Sequence, residues 1–177
     1  MVAVPILITA QLALRQIVAD DGLSLHAALS DVDAMTWWSS PAHTTLAESK
    51  AYVSKNAEDA DGWRCWAITK DDDEAIGWVI LMEKREGVQE LGYILRREYW
   101  GQGIAREAVS AVIAYAFVTL GQRRIFADTD PDNARSISLL ESLGFRKEGY
   151  FRAEWKTHIG IRDSLIFGLL EGDLRHR

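Results

Sequence analysis

The 177-residue chain has little that would brace it covalently or divide it. Its one cysteine, Cys65, excludes a disulfide within the chain and fits a reducing compartment. There are three prolines, and no Pro/Ser-rich linker, internal repeat or low-complexity tract. Residues 1–177 therefore read as one domain, long enough to bury a substantial core. Four histidines, His26, His43, His158 and His176, share no metal-ligand spacing, so no metal is expected. Basic residues are outnumbered by acidic ones, and the net charge of −6 argues against a nucleic-acid-coating surface. Met1 to Ala13 is apolar, but no Lys or Arg precedes the run and Pro5, Thr9 and Gln11 interrupt it. It is too short to span a bilayer and reads as an irregular arm, with no membrane partner and the cytoplasm as the default location.

What is present is a clear punctuation of strands and helices. A first strand is expected around Leu12 to Ile17, and Asp20-Asp21 can cap a helix running to about Leu29. Thr45-Leu46-Ala47-Glu48 has capping-box spacing and opens a second helix ending near Asn56. Between them Met35 to His43 reads as a loop. An antiparallel meander follows: Arg64 to Thr69, then Ala75 to Glu83 after an acidic turn at Asp71 to Glu74, then Val88 to Leu95 after Glu86-Gly87. Ile104, Ala105, Ala108, Val109, Val112, Ile113, Ala116, Phe117 and Leu120 recur at helical spacing. Arg124 to Asp128 is a further strand, and Asn133 begins a short helix ending at Leu143, with Gly144 just past its end. Lys147 to Trp155 and Arg162 to Leu170 are the last strands. A crossover helix makes the strands at Val88 and Arg124 parallel. The fold class is α/β (α+β), with a mixed, mostly antiparallel central sheet and helices on both faces.

The most telling segment is Tyr99-Trp100-Gly101-Gln102-Gly103-Ile104-Ala105, a glycine-punctuated turn between an apolar strand and the long helix. The first N–H groups of a helix have no intrahelical partners, and its dipole places partial positive charge there. Gly101 and Gly103 let a phosphate approach that backbone without a side chain in the way.

Three segments extend this pattern. Glu90-Leu91-Gly92-Tyr93-Ile94-Leu95 leads into the loop and on through Arg106-Glu107-Ala108. Asp130-Pro131-Asp132-Asn133-Ala134-Arg135-Ser136 runs on to Leu143-Gly144-Phe145, and Asp163-Ser164-Leu165-Ile166-Phe167-Gly168-Leu169-Leu170 stands near the end. In these segments the chain resembles the GCN5-related N-acetyltransferases (the GNAT superfamily), and within it the branch of Rim-type ribosomal-protein N-terminal acetyltransferases. The superfamily's loop pattern of Arg or Gln, two variable residues, Gly, one variable residue, then Gly or Ala falls here on Trp100, Gly103 and Ala105. The tryptophan departs from the pattern, which removes a side chain and leaves the backbone donors.

The resemblance implies a GNAT fold with a splayed parallel strand pair at the acyl-CoA site. It implies acetyl-CoA (coenzyme A) as co-substrate and direct transfer to a primary amine in a ternary complex. The pyrophosphate would lie on the N–H groups of Gln102 to Ala105, in the loop that Trp100, Gly101, Gln102, Gly103, Ile104 and Ala105 form. The pantetheine would run beside Ile94 and Leu95 and touch Asn133. A backbone N–H near Leu95 would stabilise the developing oxyanion.

An unperturbed lysine amine is neutral about once in 10³ molecules at pH 7 and an α-amine about one time in ten, so a proton acceptor is useful. Ser136 matches the Rim-type serine assigned to protonate the departing thiolate. Its ordinary alternative is a helix-start hydroxyl bonding the backbone, and Asn133 is in any case an N-cap. Glu90, at the entrance of the central strand, and Glu154, which matches a Rim-type glutamate allowing a one-residue gap, compete as the base. Either is ordinarily a solvated or ion-paired carboxylate. Tyr93 reads as core, and Cys65 as a small buried hydrophobe. Two adjacent indoles, Trp37 and Trp38, cannot both face the core from a regular strand. They join Arg152, Trp155 and His158 as candidates to line the acceptor pocket. The acceptor is a protein N-terminus or a small-molecule amine. The competing reading from another class is a non-catalytic acyl-CoA-binding or sensing module of the same fold. Monomer and homodimer both stay open.

Overall fold

The three strand runs divided by turns after the second helix fold as the meander they predict. In the computed structural model, which describes residues 4–58 and 62–174, β3 (Trp63–Thr69), β4 (Gly77–Arg85) and β5 (Val88–Leu95) pair antiparallel in sequence. On one side the sheet continues into β2 (Ala13–Gln16) and the two-residue β1 (Leu7–Ile8). On the other it continues into β6 (Arg124–Thr129), then β8 (Gly160–Leu169) and β7 (Arg146–Thr157), in the order β1-β2-β3-β4-β5-β6-β8-β7. Among the described residues only β5 and β6 pair in parallel. The arm expected to be irregular thus contributes an edge strand, because Leu7 and Ile8 pair with Leu14 and Ala13. Met1 to Ala3 of that arm, and His176, lie outside the described residues.

The strand period sorts the side chains onto two faces. Against one, α4 (Ile104–Val118) and α5 (Ala134–Ser142) bury Trp66, Leu91, Val109, Val112 and Phe167. Against the other, α1 (Gly22–Leu29) and α3 (Leu46–Ala57) bury Leu25, Val53, Trp78 and Ile80 over the β3–β5 half only. Cys65 belongs to this second cluster, and burial pushes its thiol pKa up, away from the thiolate a nucleophile needs. Across β6, β8 and β7 the same face is barely covered: Phe126 and Ile166 are half-buried, while Phe151 and Trp155 are exposed.

The caps divide. Thr45 caps α3 by accepting the Glu48 N–H, as its spacing predicts. Asp21 precedes α1 but does not cap it. Its backbone is already helical, and its carboxylate instead takes the Arg15 guanidinium at 2.7 and 2.8 Å. The connecting α2 (Val32–Met35) and the final α6 (Glu171–Leu174) are single turns. Among the described residues no helix is long and apolar enough to cross a membrane.

Candidate active site

The parallel pair of β5 and β6 is short. Its register runs Val88 to Arg124, Gln89 to Ile125 and Glu90 to Phe126, and then the strands part. The Arg96 N–H turns toward β4, donating to the Ile76 carbonyl at 2.9 Å. By strand alternation the N–H groups of Leu95 and Tyr93 face the other way, into the gap. The Leu95 carbonyl on that side accepts the Trp100 indole N–H at 2.8 Å. The tryptophan that departs from the loop pattern therefore ties the loop to the end of β5, and the Arg135 guanidinium stacks on its ring 4.4 Å from the centroid.

Gly101 and Gly103 adopt φ of +73° and +77°, where a side chain is strained, and a Cβ at either would meet nothing within 4 Å. The glycines thus shape the turn and leave the space in front of it open. Gly103 is the N-cap of α4, and the first closed helical bond is from the Glu107 N–H to the Gly103 carbonyl at 3.0 Å. The N–H groups before it in the first turn are free of intrahelical acceptors. A shallow depression of about 570 Å³ lies alongside, lined by Gly103, Arg106 and Ser110 among others. Open backbone donors, the positive helix end and two exposed arginines, Arg106 and Arg135, fit a diphosphate. Glu107 is turned away from this role. It accepts hydrogen bonds from Thr9 (2.5 Å) and Gln11 (3.0 and 2.8 Å), which hold its carboxyl below the usual range.

At the other end of the gap, the Asn133 side chain caps α5 by accepting the Ser136 N–H at 3.1 Å. The Ser136 hydroxyl lies 2.7 Å from that of Tyr93. Burial pushes the Tyr93 phenol up to about 12, against the opposing pull of this bond, so it stays protonated. Tyr93, expected in the core, does pack its ring against the α4–α5 cluster, but its hydroxyl reaches the serine. The alternation of β5 gives its face; nothing local in the sequence gives that reach.

The remaining candidates lie on β5, on the β7–β8 hairpin and between α2 and α3. Glu90 pairs with the Lys84 ammonium at 2.7 Å. Glu154, Arg152 and His158 are exposed, the first two in the irregular stretch of β7 and the third at its turn with β8. That stretch bends at Ala153, whose φ is +54° and whose N–H donates to Asp163 at 2.7 Å. Trp155 swings its indole N–H to Asp128 at 2.8 Å, and the buried Ser164 hydroxyl donates to the other Asp128 oxygen. Arg162, opposite Trp155 in register, grips Asp130 through two bonds of 2.7 and 2.8 Å and also pairs with Asp132. Burial disfavours the Asp130 charge, but Arg162 and the Asp132 N–H outweigh it and hold the pKa low. The two adjacent tryptophans separate. Trp37 is exposed over the Arg162 guanidinium, 5.5 Å away, whereas Trp38 joins the α1–α3 cluster, bonding Tyr52 at 3.1 Å and meeting Trp78 edge-on. Trp38 is thus half-buried against that cluster, while Trp37 stays exposed. Among the described residues no group of three His, Cys, Asp or Glu side chains forms a metal-binding cluster.

Comparison with known proteins places this arrangement in context. Residues 11–146 match the model of the acetyltransferase (GNAT) domain. The chain is 34% identical over 170 residues to an uncharacterized N-acetyltransferase, p20, of Bacillus licheniformis, covering 93% of this chain and 96% of that one. It is 39% identical over 75 residues, 39% of each chain, to the ribosomal protein uS5-alanine N-acetyltransferase of Escherichia coli. The crystal structure of spermidine N-acetyltransferase from Vibrio cholerae in complex with CoA and spermine superposes with a TM-score of 0.80 at 22% identity. That match spans 94% of this chain and 99% of that one.

Proposed function

Because the chain belongs to the GNAT acetyltransferase family, and is thereby an N-acetyltransferase of its Rim-like branch, we propose that it passes the acetyl group of acetyl-CoA directly to a primary amine at the β5–β6 gap. The acceptor in this reading is a protein N-terminus or a small-molecule amine. The observation that carries it is the free edge of β5 after Glu90, with the glycine loop at one end of the gap and Ser136 at the other.

Each part has a task. The first-turn N–H groups of α4 would hold the diphosphate of CoA, which supplies a thioester carrying the acetyl group. The free edge at Tyr93 and Leu95 would pair with the peptide-like arm as a strand does, and one of those N–H groups would take up oxyanion charge. The amine nitrogen bonds to the acetyl carbon, the C–S bond breaks, and the Ser136 hydroxyl protonates the leaving sulfur. Asn133 fixes the turn that aims Ser136, and Tyr93 holds its hydroxyl. Of the carboxylates the sequence offers as base, Glu90 sits on the last paired rung with its charge on Lys84, and Glu154 lies exposed in the irregular part of β7. Trp37 would flank the acceptor.

The test is a thiol-release assay with acetyl-CoA against polyamines, amino acids and short peptides with free N-termini. Amine-dependent release well above hydrolysis is expected with at least one class. CoA binding without any such release overturns the reading.

A further inference from the structure

The part of the gap where a carboxylate is needed is occupied by a residue that neither the loop motif nor the helix motif contains. Carrying the register of β5 and β6 two residues past Glu90 and Phe126 sets Asp128 across the gap from Gly92, about 7 Å beyond the last paired rung. Asp128 shares its face with Phe126 and hence with Glu90, while Ile125, Ala127 and Thr129 turn under the helices and are buried. On β5 the facing position is a glycine. Gly92 presents no side chain on that face, and a Cβ there would stand 3.0 Å from Ile80, tighter than ordinary contact. Both Asp128 oxygens are fixed from behind, one by the Trp155 indole and one by the Ser164 hydroxyl. Two uncharged donors orient the carboxylate without neutralising it. Glu90 by contrast is neutralised by Lys84, and Asp130 by Arg162.

We propose that Asp128 is the carboxylate that receives the ammonium group of the acceptor and takes the proton that must leave it before the nitrogen can attack. This rests on acetyl transfer occurring at the gap. Two protons leave the nitrogen between ammonium and amide. One passes through Asp128 to solvent, and the other balances, through solvent, the proton Ser136 gives to the CoA sulfur. Trp155 and Ser164 act through Asp128 as positioning residues.

Asp128→Asn keeps the shape and removes the charge. With the acceptor found by the thiol-release panel, kcat/KM for the amine should fall at least about 100-fold, with the Kd of CoA within about twofold of wild type. Hydroxylamine, whose nitrogen is uncharged at neutral pH, serves as the neutral acceptor, and its rate should fall less than about fivefold. Trp155→Phe, which keeps the carboxylate and loses one of its anchors, should give an intermediate loss with the cationic acceptor. A Asp128→Asn rate within threefold of wild type overturns the assignment, as does an equal loss with hydroxylamine, which marks a structural role. A panel yielding no acceptor at all fails at the level of the acetyl-transfer reading instead.

Discussion

The Tyr93 hydroxyl stands 2.7 Å from the Ser136 Oγ, joining the free edge of β5 to the first turn of α5. Burial keeps the phenol protonated, so it has a hydrogen to give while the serine gives its own. Ser136→Ala should lower turnover at least about 10²-fold with the affinity for acetyl-CoA nearly unchanged. Tyr93→Phe should cost about tenfold in the wild type and nothing further in the Ser136→Ala background. The four rate constants of this cycle check it. Additive losses would show that Tyr93 does not act through Ser136.

Gly103 tests the donor end. Its φ of +77° and the open space around a Cβ mean that Gly103→Trp fills the front of the α4 N-terminus rather than the core. Backbone strain of about 1–2 kcal/mol leaves the protein folded with a slightly lower melting point. Calorimetry should detect no CoA binding. Retained affinity would move the diphosphate elsewhere.

Glu107 offers a pH-dependent signature. Hydrogen bonds from Thr9 and then Gln11 hold its carboxyl below the usual range, so the folded state favours the ionised form. The stabilisation is complete above the unfolded carboxylate pKa and is lost as pH falls through the folded value. Glu107→Gln should cost about 1 kcal/mol at pH 7, discounted for solvent screening, or about 2–4 °C in Tm. The gap between the two proteins should close in acid. A pH-independent difference in Tm would assign the cost to packing.

How much of this was legible in the chain depended on whether the signal was local. The meander, the glycine loop, the Thr45 cap and the Asn133 cap are each written within a few consecutive residues, and each formed where its spacing predicts. Asp21 looks like a cap in sequence but lies within reach of Arg15 on β2, and a charged partner outcompetes the helix end. The strand in the N-terminal arm needs the edge of β2 to exist at all. Trp37 and Trp38 are equivalent by composition, and only the cluster around Tyr52 and Trp78 separates them. Asp128 is hidden among Asp130 and Asp132, and its anchors Trp155 and Ser164 reach it because β8 inserts between β6 and β7, an order no local pattern encodes.

The most direct measurement is the stoichiometry of a single reaction mixture. Wild-type protein with acetyl-CoA and an accepted amine should yield one acetylated amine, by mass spectrometry, for each CoA thiol released. Both should be lost together in Ser136→Ala, and no acetyl group should remain on the protein. Thiol release without acetylated amine, or an acetylated side chain that turns over, would contradict direct transfer at the β5–β6 gap.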